Sequence, residues 1–286
     1  MQRIENHLHM LHRKTDASDR LAFHDGMLPY FTIPAFDALG VKNGFTTKYG
    51  GVSTGFYAEM NMAALKETPE IIQENYRRIC QKLEMNEKRA VLSYQTHTVN
   101  VRVVTEEDLG KGPFLPRDYT DTDGLVTNLP DVPLVTLYAD CVPLYFYDPV
   151  KKAIGLSHAG WRGTVNRMAE STVRKMTEAF GTDPGDLYTA IGPSICRSCY
   201  EVGPEVAEEF VKTFGEEHRA ELLDEKPNGK YQLDLWASNR LVMLQCGIPA
   251  DHITVSDICT KCCSDLLYSH RVMGKNRGLL AALLSL

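Results

Sequence analysis

The chain has no excess of basic residues. Its 286 residues carry 31 Lys and Arg against 37 Asp and Glu, a formal net charge of −6, which argues against a general nucleic-acid binder, because phosphate contacts need clustered cations. Nor is there an apolar run of about eighteen residues, so no membrane span is expected. The start, MQRIENHLHMLHRKTDASDR, is charged throughout and lacks the apolar segment of a secretory signal. A reducing cytoplasm and free thiols follow as the expectation. Neither a GxxxxGK[ST] phosphate loop nor a GxGxxG fingerprint occurs, so no nucleotide cofactor is implied. No Pro/Gly/Ser-rich linker, low-complexity tract or repeat divides the chain either. The expected organisation is one domain over 21–286, preceded by a disordered extension over 1–20.

With 43% hydrophobic and 24% charged residues, the composition suits a globular protein with a sizeable core. Strand and helix signals follow each other in mixed order, with neighbouring strands close enough to pair as hairpins. The expected class is therefore α+β, with mixed β-sheets and hairpins flanked by helices. A helix is predicted after Thr68 and Pro69, where Ile71, Ile72, Tyr76, Ile79 and Leu83 share one face. Others are predicted over about Thr164 to Phe180 with a stop at Gly181, from Pro204, and after the N-cap candidate Asp234 with a stop at Gly247. The apolar runs VPLVTLYAD and CVPLYFYDP around Cys141, and KKAIGLSHAGW after them, read as strands.

The most informative stretch is ADCVPLYFYDPVKKAIGLSHAGWRGT, from Ala139 to Thr164. Asp148-Pro149-Val150-Lys151 has the residues of a type I turn. An unbulged hairpin centred there places Cys141 opposite His158 on one face, with Cβ atoms about 4.5–5.5 Å apart. At that distance a thiolate and an imidazole either share a metal ion or form a nucleophile and base. Ala159, Gly160 and Gly163 leave room for a ligand at the strand-to-helix junction, and Arg162 among them is a candidate phosphate or carboxylate clamp. The competing reading is a tight turn with a solvated arginine. A catalytic zinc needs a third protein ligand. His97, in SYQTHTV between two β runs, is either that ligand or a solvated loop residue. His7, His9, His12 and His24 fall in or near the polar start, and His218, His252 and His270 have no cysteine partner placed by a readable register.

Two further cysteine pairs, Cys196-x-x-Cys199 and Cys259-x-x-Cys262, have the form of a structural zinc site. About sixty residues with helix signals separate them, so buried free thiols or a redox-sensitive pair are the expectation. The glycine-rich stretches GFTTKYGGVSTGFYAEMN, which contains Lys48, and AIGPSICRSCYEVG read equally as ligand-covering loops or plain turns.

Taken in order, GFTTKYGGVSTG, SYQTHTV, DTDGLVTN, YADCVPL, SHAGWRGT, AIGPSICRSCYEVG, LDLWASNR and CTKCCSDLLYSHR resemble successive blocks of the YfiH-type family, described as multicopper polyphenol oxidases and later as purine nucleoside phosphorylases. The likeness spans nearly the whole chain after residue 40. It implies a metal site of two histidines and one cysteine, carried over as His97, Cys141 and His158, that takes zinc, with copper as the alternative. It further implies phosphorolysis of adenosine, inosine, guanosine and methylthioadenosine to base and sugar 1-phosphate, with adenosine deamination as a second activity. Purine nucleosides and inorganic phosphate are then the partners, and the chain is expected as a monomer or homodimer. On this reading Arg162, Lys48 and Asp140 are candidate substrate or phosphate contacts, and Asp140 or Asp123 a candidate proton carrier. Two departures stand out: Lys48 occupies a position where the family often has Arg, and YSHRVMGKNRG matches the family's ending imperfectly, which leaves Arg271 and Arg277 without a role. The rivals are a copper-dependent polyphenol oxidase, a metal-free hydrolase with Cys141 as nucleophile and His158 as base, and a binding protein with structural zinc.

Overall fold

The structure, a computed structural model, describes residues 7–14, 20–64 and 67–286. With strands numbered in chain order, the first of two six-stranded sheets runs β1 (Ala22–His24), β2 (Tyr30–Thr32), β3 (Lys42–Thr46), β15 (Leu280–Ser285), β7 (Leu134–Tyr138), β4 (Val91–Leu92). The second runs β14 (Ile253–Val255), β10 (Tyr188–Ile191), β8 (Val142–Asp148), β9 (Ala153–Ala159), β6 (Gly124–Thr127), β5 (Val101–Val103). A small third sheet orders β11 (Glu201–Val202), β13 (Tyr231–Leu233) and β12 (Leu223–Glu225). Pairing is mixed: β4 with β7, β5 with β6 and β10 with β14 are parallel, while β8 and β9 form an antiparallel hairpin. The helices are α1 (Pro34–Asp37), α2 (Pro69–Lys82), α3 (Trp161–Val165), α4 (Met168–Phe180), α5 (Pro204–Phe214), α6 (Arg219–Leu222), α7 (Leu235–Gln245) and α8 (His270–Met273). The α+β class with mixed sheets is the one expected.

Side-chain alternation along the strands builds the layers. In β15, Leu280, Ala282 and Leu284 enter the core between the two large sheets, while Ala281 and Leu283 turn to the core under α2 with Ile72, Tyr76 and Ile79. In β8, Tyr145 and Tyr147 face the first sheet, while Val142, Leu144 and Phe146 face Met168, Val173 and Met176 of α4. Every residue of β8 and β9 is buried, which is why both read as near-continuous apolar runs rather than alternating ones. The order of layers is thus helix, sheet, sheet, helix.

Helix boundaries follow the local chemistry. Pro69 opens α2, the Asp234 carboxylate accepts the Ala237 amide at the start of α7, and Gly181 ends α4 in the left-handed conformation at φ 70°. The single helix expected over Thr164 to Phe180 is broken, however. Arg167 sits at φ 61° between α3 and α4, with its guanidinium held by Glu170 and Gln245.

The central hairpin also differs from its expected register. Asp148 Oδ1 accepts the amides of Val150 and Lys151, both at 2.9 Å, so the turn forms where its residues predict. Lys152 then takes the left-handed conformation at φ 49°, and the ladder closes at Asp148 opposite Ala153. A type I turn twists against a two-residue hairpin, and the longer connection relieves that conflict. His158 consequently faces Pro143 and not Cys141. A slide of two residues preserves side-chain parity, so Cys141 and His158 still share a face as diagonal neighbours.

Of the segment expected to be a disordered extension, residues 1–6 and 15–19 lie outside the described residues. Within 7–14, Arg13 pairs with Asp257 at 3.0 Å and the Lys14 amide donates to the Asp257 carbonyl at 2.9 Å. No helix among the described residues is long and apolar enough to cross a membrane.

Leu284 is fully buried between the two large sheets. Leu284→Ala is expected to lower the unfolding free energy by about 2–5 kcal/mol, read as a lower urea midpoint at unchanged slope. A midpoint like that of the parent would refute a shared inter-sheet core.

Candidate metal centre and its cavity

At one end of the β6–β9 ladder, where Gly124 pairs with Ser157, Asp123 and His158 stand opposite each other. The His158 amide donates to the Asp123 carbonyl at 2.8 Å. Their side chains meet as well, with His158 Nδ1 2.8 Å from Asp123 Oδ2. A carboxylate there fixes the tautomer with the proton on Nδ1 and leaves Nε2 free to bind a metal. The same carboxylate, itself fully buried, accepts the amides of Thr96, His97 and Thr98 at 2.9, 3.2 and 3.0 Å and the Thr98 hydroxyl at 3.1 Å. These bonds hold His97 in the left-handed conformation at φ 65°. That conformation costs about 1–2 kcal/mol for a residue with a Cβ, against about 1.5–3 kcal/mol for each hydrogen bond to a charged group. The outcome is a pair of stacked imidazoles, with the His97 and His158 rings 5.0 Å apart.

Cys141 is placed by a second carboxylate. Asp140, at φ 86°, accepts the Thr260 hydroxyl at 2.6 Å and the Arg271 amide at 2.7 Å on its side chain, and the Ile195 amide at 3.0 Å on its carbonyl. One step beyond the last ladder pair, Gly160 lies across from Cys141. A Cβ at Gly160 would sit 3.1 Å from Cys141 Sγ and 3.4 Å from His97 Nδ1, so glycine supplies the space these two side chains occupy.

Donor atoms of His97, Cys141 and His158 lie within 4.8 Å of one another. A tetrahedral zinc ion with bonds of about 2.0–2.3 Å separates its ligands by about 3.3–3.8 Å, so the three fit one ion. Electrostatics agree. Burial disfavours a charged His158, yet the Cys141 sulfur and the Asp123 carboxylate outweigh it and raise the pKa to about 9. For His97, burial and the charge of His158 push the pKa down. A metal bound to His158 would have to displace that proton.

These donors form part of the wall of a cavity of about 650 Å³, the size of a small-molecule site. Arg162, Arg271 and Arg277 line it too. The Arg162 guanidinium lies 4.4 Å from the centre of the Trp161 ring and among the described residues has no carboxylate partner. Arg271 lies over Tyr200 at 5.1 Å and donates to the Glu201 carbonyl at 3.0 Å. Arg277 is half-buried, with an Nε that has no partner among the described residues, and burial lowers its pKa against the opposing charges of Asp140 and Cys141.

Other expectations change. Lys48 is not in the cavity wall; its ammonium donates to the Ser264 carbonyl at 2.9 Å, and burial lowers its pKa. Asp140 does line the cavity, but both of its carboxylate oxygens already accept hydrogen bonds, as do those of Asp123. Both carboxylates thus hold the segments that carry His97, His158 and Cys141. Arg271 and Arg277, left without a role by the sequence, reach the cavity because the start of α8, which carries Arg271, is fastened to Asp140, and the loop from α8 to β15 carries Arg277 to the same wall. The one sequence signal for them is basic residues in a glycine-containing loop.

The sequence pattern of the family described as multi-copper polyphenol oxidoreductase laccase matches residues 42–286. The purine nucleoside phosphorylase YlmD of Bacillus subtilis is 38% identical over 234 residues, covering 80% of this chain and 82% of that protein. Adenosine deaminase RL5, from an unknown prokaryotic organism, is 36% identical over 196 residues, 66% of this chain and 71% of that protein. Among solved structures, YlmD of Geobacillus stearothermophilus superposes with a TM-score of 0.84 at 35% identity, covering 92% of this chain and 98% of that one. The hypothetical protein YfiH of Bacillus licheniformis gives 0.85 at 32% identity, with the same coverage.

Two substitutions test the assembly of the centre. Asp123→Asn is expected to weaken zinc binding about 10–100-fold, measured by competition with a chromogenic chelator; parental affinity would show that the carboxylate does not organise the ligands. Gly160→Ala is expected to weaken zinc binding with an unchanged far-ultraviolet spectrum, because the added methyl meets Cys141 and His97 and not the rest of the fold.

Proposed function

Because the chain belongs to the multi-copper polyphenol oxidoreductase laccase family, whose relatives include proteins named purine nucleoside phosphorylase and adenosine deaminase, we propose that it is a purine nucleoside phosphorylase. The substrates are adenosine, inosine, guanosine and S-methyl-5'-thioadenosine, with adenosine deamination as a second activity and zinc held by His97, Cys141 and His158. The observation that carries this reading is one cavity that joins the three metal-binding side chains to the arginines Arg162, Arg271 and Arg277. Eight cysteines outside disulfides suit a cytoplasmic enzyme.

In phosphorolysis a phosphate oxygen attacks C1' of the ribose, the bond to the base nitrogen breaks, and its electron pair leaves with the base. The chain must hold an anion in line with that bond. Arg162, Arg271 and Arg277 supply local positive charge for this within a protein of net charge −6. Trp161 and Tyr200 offer aromatic faces for the purine. Zinc, when bound, would supply Lewis acidity toward an oxygen of phosphate, ribose or water. Asp123 keeps His158 oriented and His97 in its strained conformation throughout.

Two rivals have specific support. Imidazole and thiolate donors also suit copper, which keeps phenol oxidation in play. Cys141, His158 and Asp123 are arranged as nucleophile, base and orienting acid, as a metal-free hydrolase requires.

Incubation of metal-analysed protein with adenosine decides among them. Ribose 1-phosphate formed only when phosphate is present is the expected result, with inosine formed regardless of phosphate. No sugar phosphate from fully zinc-loaded protein would overturn the phosphorylase reading. Activity that survives chelation but not thiol alkylation would favour the hydrolase, and copper-dependent phenol oxidation without phosphorolysis the oxidase. Arg162→Ala is expected to raise KM for phosphate about tenfold to a hundredfold, the equivalent of one charge-assisted hydrogen bond; an unchanged KM would remove Arg162 from the phosphate site.

A further inference from the structure

Cys196, Cys199, Cys259 and Cys262 take no part in the chemistry above, yet their four sulfurs lie within 4.8 Å of one another. Topology explains how residues so distant in sequence meet. β10 and β14 are parallel neighbours, with Ile191 beside Val255, so the segments that leave their C-terminal ends emerge side by side. Ser194 then pairs with Cys259 in an isolated parallel bridge. The residues between the two pairs fold away into the small sheet and α5 to α7. The long helical spacer, which spoke against a shared site in the sequence, is therefore no obstacle.

We infer that these four cysteines form a second metal site, a closed tetrathiolate that binds one zinc ion. The site is separate from the His97, Cys141 and His158 centre and does not depend on the activity proposed above. Zinc–sulfur bonds of about 2.3 Å place tetrahedral thiolates about 3.8 Å apart, and Cys199 Sγ lies 3.5 Å from Cys262 Sγ. Four protein donors leave no open position, which is the mark of a structural site.

Donors for the sulfurs are already in place. The amides of Cys196 and Cys262 point at Cys259 Sγ at 3.3 and 3.5 Å, and the Ser198 hydroxyl lies 3.3 Å from Cys196 Sγ. Such contacts support thiolate ligands. On binding, the metal displaces four thiol protons to give a complex of charge −2, and the Lys14 ammonium, which lies against Cys262, offsets part of it.

The site's role follows from its neighbours. Ile195, next to Cys196, donates its amide to the Asp140 carbonyl, and Thr260, next to Cys259, donates its hydroxyl to the Asp140 carboxylate. Fastening the two cysteine turns together therefore fixes two of the three partners of Asp140, and through it the position of Cys141. Tyr200, which follows Cys199 directly, is carried to the cavity wall by the same turn.

Metal analysis of protein purified in reducing buffer without chelator tests the inference. Two zinc ions per chain are expected in the parent. Cys199→Ser/Cys262→Ser should fall to one while keeping the Cys141 centre loaded, and Cys141→Ala/His158→Ala should fall to one by losing the other. A parent with a single zinc, all of it lost in Cys141→Ala/His158→Ala, would overturn the second site. So would disulfides among the four cysteines in non-reduced peptide mass spectrometry. Should the cysteine variant fail to fold, alkylation of the parent decides. Cys199 and Cys262 are only half-buried, so they should resist iodoacetamide while zinc is bound and react after its removal; equal rates in both states would refute the site.

Discussion

The Asp123 carboxylate is the constraint on which the centre depends. It is fully buried, and a buried charge is tolerated only when it is thoroughly hydrogen-bonded. Asp123 meets that requirement with three backbone amides, a hydroxyl and an imidazole. The same bonds perform three tasks: they hold His97 in a strained conformation, set the tautomer of His158, and bring together two loops that are distant in sequence. The charge gains its partners only when the site is assembled, so the electrostatics of one residue couple the folding of the β6–β9 ladder to the geometry of the metal ligands.

The rest of the architecture serves to open one end of a sandwich. Along β9, Ile154 and Leu156 fill the core between the two large sheets, and His158 continues the same row to the cavity wall, with its ring 5.5 Å from that of Tyr138 in the first sheet. Apolar packing therefore gives way to polar chemistry within a single strand. Gly160 extends that transition, because space lacking a Cβ is filled by Cys141 and His97. The chain next turns into α3, which brings Arg162 to the cavity. Asp140 repeats the logic of Asp123 on the opposite side, as it binds the turn after Cys259 and the start of α8 to the segment that carries Cys141.

Charge is distributed to match. A protein with a net charge of −6 has little long-range attraction for anions, so any it binds must be met locally. Arg162, Arg271 and Arg277 converge on one cavity. Burial of Arg277 with no partner for its Nε among the described residues leaves a donor that a ligand oxygen would satisfy. The eight cysteines likewise divide by placement: Cys141 in the cavity, four in one cluster, and the others in apolar surroundings.

Local chemistry was legible in the sequence. Pro69, Pro204, Asp234 and Gly181 mark helix ends because capping and φ restriction act within a few residues, and the Asp-Pro turn announced the central hairpin for the same reason. Cys141 and His158 could be paired because period-two alternation survives a slide of two residues. The slide itself, produced by a left-handed Lys152, was invisible, as turn residues alone do not fix how many positions a connection needs. Family blocks pointed to His97, whose own sequence neighbourhood left a ligand and a solvated loop residue as alternatives. What only the tertiary structure decided were the contacts between distant segments: Asp123 clamping the His97 loop, Arg271 and Arg277 folding back to the cavity, Lys48 leaving it, and two cysteine pairs meeting at the ends of parallel strands. A sequence records the near neighbours of each residue, and these contacts are made by strand order and crossover, which no local pattern encodes.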